Sequence, residues 1–150
     1  MILDREMFEA ARSPQKTGTT NVNEIVLEDQ LDVSRGDVLV SADAGFRASR
    51  DIEATLCWLA EEQFNRSRPY LIKHGSRTVK ALINAPWYRV NVNSLAQEPA
   101  DTLALNDIGR VSIKTAQPLA FEPYRRNRTA GSFIVIDEAT NNTVAAGLIE

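Results

Sequence analysis

From residue 22 to the C-terminus, apolar residues recur at every second position in short runs, and a polar turn interrupts each run before it lengthens. A period of two puts successive side chains on opposite faces of a strand, so each run has one face to bury and one to wet. "EIVLE" and "DVLVS" flank the polar turn "SRGD". "DIEATLCWLAEEQF" alternates through Ile52, Ala54, Leu56 and Trp58, although "LCWLAEEQF" alone also fits a helical turn. "YLIKH" and "RTVKALI" are joined by Gly-Ser and read as a hairpin. "WYRVNVNSL" sets Trp87, Arg89 and Asn91 on one face and Tyr88, Val90 and Val92 on the other. The turn "LNDIG" leads into "RVSIKTAQPL", and "GSFIVIDEATNNTVAAGLIE" is a closing hairpin whose Asn141-Asn142 pair suits positive backbone angles. No long helical period and no internal repeat interrupts the series. Many short strands at close spacing predict an all-β fold, an antiparallel barrel or sandwich.

The N-terminal residues break this pattern. "LDREMFEAAR" places Leu3, Met7 and Ala11 four apart, which suits a short amphipathic helix, and "SPQKTGTTN" then reads as a polar linker or tail. The 150 residues suffice for one ordinary domain, or one domain and a fragment of another, with a core that needs no metal or disulfide. Net charge of -3 argues against a dedicated nucleic-acid binder, because phosphate rewards a basic face. One cysteine, Cys57, excludes an intramolecular disulfide and a Cys-based zinc cluster, and one histidine, His74, excludes a multi-histidine metal site. No apolar run approaches the length of a membrane span, and the acids of "MILDREMFEAARSPQK" do not suit a signal peptide. The expectation is a cytoplasmic protein that does not engage a membrane.

Several chemistries lack their motif. There is no G-x-x-x-x-G-K-[ST] phosphate loop, no G-x-G-x-x-G after a strand and no G-x-S-x-G elbow, so a self-contained enzyme is not expected. His74, in "IKHGSR", is either a base or phosphate contact or a polar residue of a hairpin turn. Cys57, between Leu56 and Trp58, reads as a small buried hydrophobe rather than a nucleophile. Adjacent Asp137 and Glu138 would point to opposite faces, a poor acid/base pair, and fit a strand end entering a turn.

The remaining constellation is "PYRRNR". Arg125, Arg126 and Arg128 follow Tyr124 and Pro123. Guanidinium forks grip carboxylates and phosphates bidentately, and the tyrosine offers a stacking face. The composition leaves a solvated flank, a protein interface and a nucleic-acid contact open, with an acidic protein surface fitting the overall charge better.

Read together, "LEDQLDVSRGDVLV", "HGSRTVKALI" and "LNDIGRVSIKTAQPLAFEPYRRNRTAGSFIVIDEATNNTVAAG" resemble the C-terminal region of the GTPase large subunit of sulfate adenylyltransferase. That family is similar to elongation factor Tu and elongation factor 1-alpha, in which a GTPase domain precedes two β-barrels. The resemblance implies residues 1–21 as a tail or short helix, 22–48 as the end of the second-domain barrel, and 49–150 as a third-domain-like closed antiparallel barrel of about six strands. It implies a non-catalytic part of sulfate activation, the conversion of ATP and sulfate to adenylyl sulfate. GTP and ATP would belong only to parent domains or a partner subunit, so this chain is expected to hold no cofactor or metal. The implied partners are the GTPase domain and the small subunit, with a homodimer as a further option. Tyr124, Arg125, Arg126 and Arg128, together with His74 and Arg77, are the candidate interaction residues. The alternative is a stand-alone barrel that binds RNA or nucleotide through its arginine loop.

Overall fold

A computed structural model describes residues 2–3, 32–39 and 46–150. The chain divides into two units, Met1–Gly45 and Phe46–Glu150. In the first, strand β1 (Ile2–Leu3) pairs in parallel with β2 (Val38–Leu39). Leu3 is thus in a strand, not in the helix suggested by its spacing; the rest of that segment and "EIVLE" lie outside the described residues. The "SRGD" turn forms as expected, with Asp37 N–H bonded to Ser34 O and Gly36 at φ 102°.

The second unit contains β3 (Arg47–Trp58), β4 (Tyr70–His74), β5 (Arg77–Ile83), β6 (Tyr88–Val90), β7 (Gln97–Glu98), β8 (Ile108–Phe121), β9 (Ser132–Asp137) and β10 (Thr143–Ile149). Its sheet runs β3-β10-β9-β4-β5-β8, and β8 then pairs back with β3. Six antiparallel strands therefore close into a barrel, which removes the exposed edges of an open sheet. The short β6–β7 hairpin is appended to β8. "WYRVNVNSL" is a strand only over Tyr88–Val90, because Asn91 bends the chain by accepting from Asn93 N–H and Ser94 N–H.

Alternation determines the inside. Ile52, Ala54, Leu56 and Trp58 of β3, Tyr70 and Ile72 of β4, Val79, Ala81 and Ile83 of β5, and Val111 and Ile113 of β8 are all buried. Each large side chain removed from water contributes about 1.5–3 kcal/mol. Trp58, Phe64 and Tyr70 pack together at one end, Trp58 edge-on to both with centroids 5.5 and 6.0 Å away. Cys57 corrects an expectation. It is out of phase with Leu56 and Trp58, so it is half-buried on the outer face.

The antiparallel order gives the barrel two distinct ends. One is formed by the 59–69 loop, the 84–107 segment and the β9–β10 turn. In that turn Asp137 is the last buried strand residue, and Asn141 takes φ 59°. The other end is formed by the β4–β5 turn, the start of β3 and the 122–131 connection between β8 and β9. Near it β8 turns a corner: Ser49 opposes Leu119 while Asp51 opposes Lys114. Thr115 fixes the corner, its hydroxyl bonded to Arg50 O and Gln117 O.

Candidate functional site

The 122–131 connection holds the arginine cluster, and Pro123 starts it. The Pro123 carbonyl accepts from Arg126 N–H and Asn127 N–H, so the loop opens with one tight, nearly helical turn. Tyr124 N–H donates to Ile149 O at 2.8 Å, and Ile149 N–H donates to Gly131 O at 2.8 Å, which sews both ends of the loop to β10. Gly131 permits this closeness: a Cβ there would lie 2.3 Å from Tyr124 Cα.

Glu122 organises the interior of the loop. It is buried, yet its carboxylate is matched by Asn127 Nδ2 at 2.9 Å and Arg126 Nε at 3.2 Å. A buried carboxylate without such partners would be strongly disfavoured. Asn127 Oδ1 also accepts from Ala130 N–H, and Asn127 O from Gly131 N–H. Arg126 is therefore partly committed to holding the loop. Arg125 and Arg128 are exposed and have no hydrogen-bond or ion-pair partner among the described residues.

His74 joins the same construction. It is buried at the end of β4, and its Nε2 lies 2.8 Å from the Ala130 carbonyl. Since a carbonyl only accepts, Nε2 carries the proton there. His74 is thus a polar residue at the hairpin turn, as one of its two readings had it, and it is buried there as a strut between the β4–β5 hairpin and the arginine loop. Its parity with Tyr70 and Ile72 is the sequence signal for that burial. Arg77, just past the Gly75 turn, reaches across to Pro118 O at 3.3 Å and Gln117 Oε1 at 3.4 Å. All six candidate residues therefore lie at one end of the barrel. Sequence reasoning overlooked Arg47 and Arg50, exposed at the start of β3; Arg47 opposes Phe121 in register, next to Glu122.

The opposite end carries a cleft of about 450 Å³ lined in part by Trp58, Tyr70, Glu62, Arg68 and Asp137. Three of its charges pair with one another: Arg68 meets Glu62 at 2.6 Å and Asp137 at 3.4 Å. Asp137 is held below the usual carboxylate range, chiefly by the N–H of Thr140, with Ala139 N–H, the Thr140 hydroxyl and Arg68 adding, against the opposing effect of burial. Burial pushes the Tyr70 phenol up. No group of three or more His, Cys, Asp or Glu suited to a metal occurs among the described residues. No helix among them is long and apolar enough to cross a membrane.

A family model described as GTP-eEF1A C-terminal domain-like matches residues 51–150. The chain belongs to this family. Within it, the chain is 46% identical over 125 residues to the bifunctional enzyme CysN/CysC of Rhodopirellula baltica, covering 83% of this chain and 19% of that protein. It is 42% identical over 125 residues to sulfate adenylyltransferase subunit 1 of Bacteroides fragilis, covering 83% and 26%. The chain thus spans about a fifth to a quarter of these curated relatives. In fold it is similar to the crystal structure of sup35 complexed with GDP, with a TM-score of 0.63 and 14% identity over 73% of this chain and 27% of that one. The closed antiparallel barrel and the resemblance to the sulfate adenylyltransferase large subunit agree with what the sequence implied.

Proposed function

We propose that this chain serves as a non-catalytic β-barrel portion of the GTPase subunit of sulfate adenylyltransferase, making domain and subunit contacts during sulfate activation. The observation that carries this reading is the 42% identity to sulfate adenylyltransferase subunit 1 over 125 residues, 83% of this chain. A barrel whose loops are tied down by their own hydrogen bonds suits a rigid contact surface, because little side-chain and loop freedom is lost on docking. Within this reading residues 22–48 correspond to the end of a preceding barrel and 49–150 to the contact barrel. The partners are a GTPase domain and the small subunit, and GTP and ATP are held by those partners, in the cytoplasm. The candidate contact residues are Tyr124, Arg125, Arg126, Arg128 and Arg77, with His74 supporting the loop from within.

The experiment is co-purification of the chain with the small subunit of sulfate adenylyltransferase, alongside calorimetry with GTP. A stable complex without GTP affinity is expected. GTP binding by this chain would overturn the reading. A second reading, RNA or nucleotide binding through the arginine loop, is favoured by the two unpaired guanidinium groups of Arg125 and Arg128. Salt-dependent RNA binding that disappears in an Arg125→Ala, Arg126→Ala, Arg128→Ala triple variant would select it.

A further inference from the structure

The barrel is electrically polarised along its axis. Arg47, Arg50, Arg77, Arg125, Arg126 and Arg128 lie at the end built by the 122–131 loop. The acids at that end are Glu122, which is buried, paired with Arg126 and hydrogen-bonded by Asn127, Asp51, whose register partner is Lys114, and Glu150, which follows Ile149 beside the loop and accepts from the Thr55 hydroxyl. Glu61, Glu62, Asp101, Asp107, Asp137 and Glu138 lie at the opposite end, where Arg68, Lys80 and Arg89 are already paired with acids and Arg66 is exposed. Residues 46–150 carry thirteen Lys and Arg against eleven Asp and Glu, so this separation of signs, not a net basic charge, makes the surface distinctive.

We infer that the arginine end of the barrel is a docking surface for an acidic polypeptide face, which it grips through carboxylates at Arg125 and Arg128, with Arg47 and Arg50 beside them. This rests on the proposed role in subunit contacts and names the chemistry of the partner. Arg125 and Arg128 are three residues apart on a turn fixed by Pro123, Glu122 and the His74 strut, so two planar forks are presented without the cost of ordering a loop. A long polyanion is the poorer fit. Nucleic acid gains affinity by laying many phosphates along an extended basic track, and this track ends within one barrel face, with an acidic end beyond it. A compact acidic patch matches that limited footprint and is repelled from the other end, which also fixes its orientation.

The test uses the whole chain and two fluorescent probes of equal charge, an Asp/Glu-rich peptide and a single-stranded RNA oligonucleotide, read by anisotropy over a salt series. We expect the peptide to bind more tightly than the RNA, and at least tenfold more weakly to an Arg125→Glu, Arg128→Glu variant that melts like the parent. An Arg66→Glu change at the far end should leave peptide affinity unchanged. Tighter binding of RNA, no peptide binding, or equal peptide affinity in the double variant would overturn the inference. The two readings can fail separately. If the small subunit binds the parent and the double variant equally, subunit contact stands and this surface falls. If the peptide behaves as expected and the small subunit does not bind, the surface stands and its assignment to that complex falls.

Discussion

Gly131→Ala gives the sharpest test of how the arginine loop is built. The added Cβ would lie 2.3 Å from Tyr124 Cα, 2.4 Å from Tyr124 N and 2.8 Å from Glu122 O. Unstrained carbon contacts lie near 3.5–4.0 Å, so the loop entrance must retreat by roughly 1 Å. All three obstructing atoms are main chain, so no rotamer change relieves the clash. Retreat pulls on the bonds from Tyr124 N–H to Ile149 O and from Ile149 N–H to Gly131 O, both 2.8 Å long. Overpacking of this kind costs about 1–3 kcal/mol, and each hydrogen bond lost adds about 1 kcal/mol. The total is about 3–5 kcal/mol. For a domain near this size each kcal/mol lowers Tm by about 4–8 °C, so a fall of at least about 12 °C is expected in thermal unfolding followed by circular dichroism. A Gly131→Ala protein melting within about 2 °C of the parent would refute the packing described for the loop.

Three further outcomes follow from the structure. Asp137→Asn removes the charge that accepts from Thr140 and Ala139, costing about 1–2 kcal/mol at neutral pH. Because folding lowers the Asp137 pKa, that stability is fully present above the unfolded value near about 4 and is lost as pH falls through the folded value. Denaturant titrations should therefore show parent and variant converging in acid, and a constant gap down to about pH 2 would contradict the assignment. Leu95, 77% exposed, is held at φ 58°, a conformation that disfavours its side chain. Leu95→Asn should raise stability by about 0.5–1 kcal/mol, and a fall in Tm would mean that Leu95 makes a contact worth more than its backbone strain. Gly147→Ala places a Cβ 2.2 Å from the Phe133 ring, which faces it across the β9–β10 pair, so the ring must leave its buried site. A loss of about 2 kcal/mol or more is expected by urea unfolding, and an unchanged midpoint would show that the ring does not cover that glycine.

Much of the barrel was legible because strands announce themselves locally. The alternation of Ile52, Ala54, Leu56 and Trp58, the Gly75 turn and the Asn141 turn all reappear where the sequence set them. Parity also contained two facts that a residue-by-residue reading overlooked. His74 shares the inward phase of Tyr70 and Ile72, and Cys57 has the opposite phase from its apolar neighbours. Closure was less legible, since β3 and β8 pair over a long separation that no local pattern encodes. The burial of Glu122 could not be read at all. It follows Leu119 and Phe121 without continuing their alternation, and only the folded loop supplies the Arg126 and Asn127 partners that make it tolerable. The grouping of Arg47 and Arg50 with the loop arginines likewise depends on the register between β3 and β8.

The proposed role of this barrel as a contact element of a sulfate-activating GTPase subunit is decided by sedimentation velocity with the purified small subunit of sulfate adenylyltransferase. A faster-sedimenting complex that forms without added nucleotide and weakens with salt is expected. Two species sedimenting independently at every ratio and at low salt would contradict it.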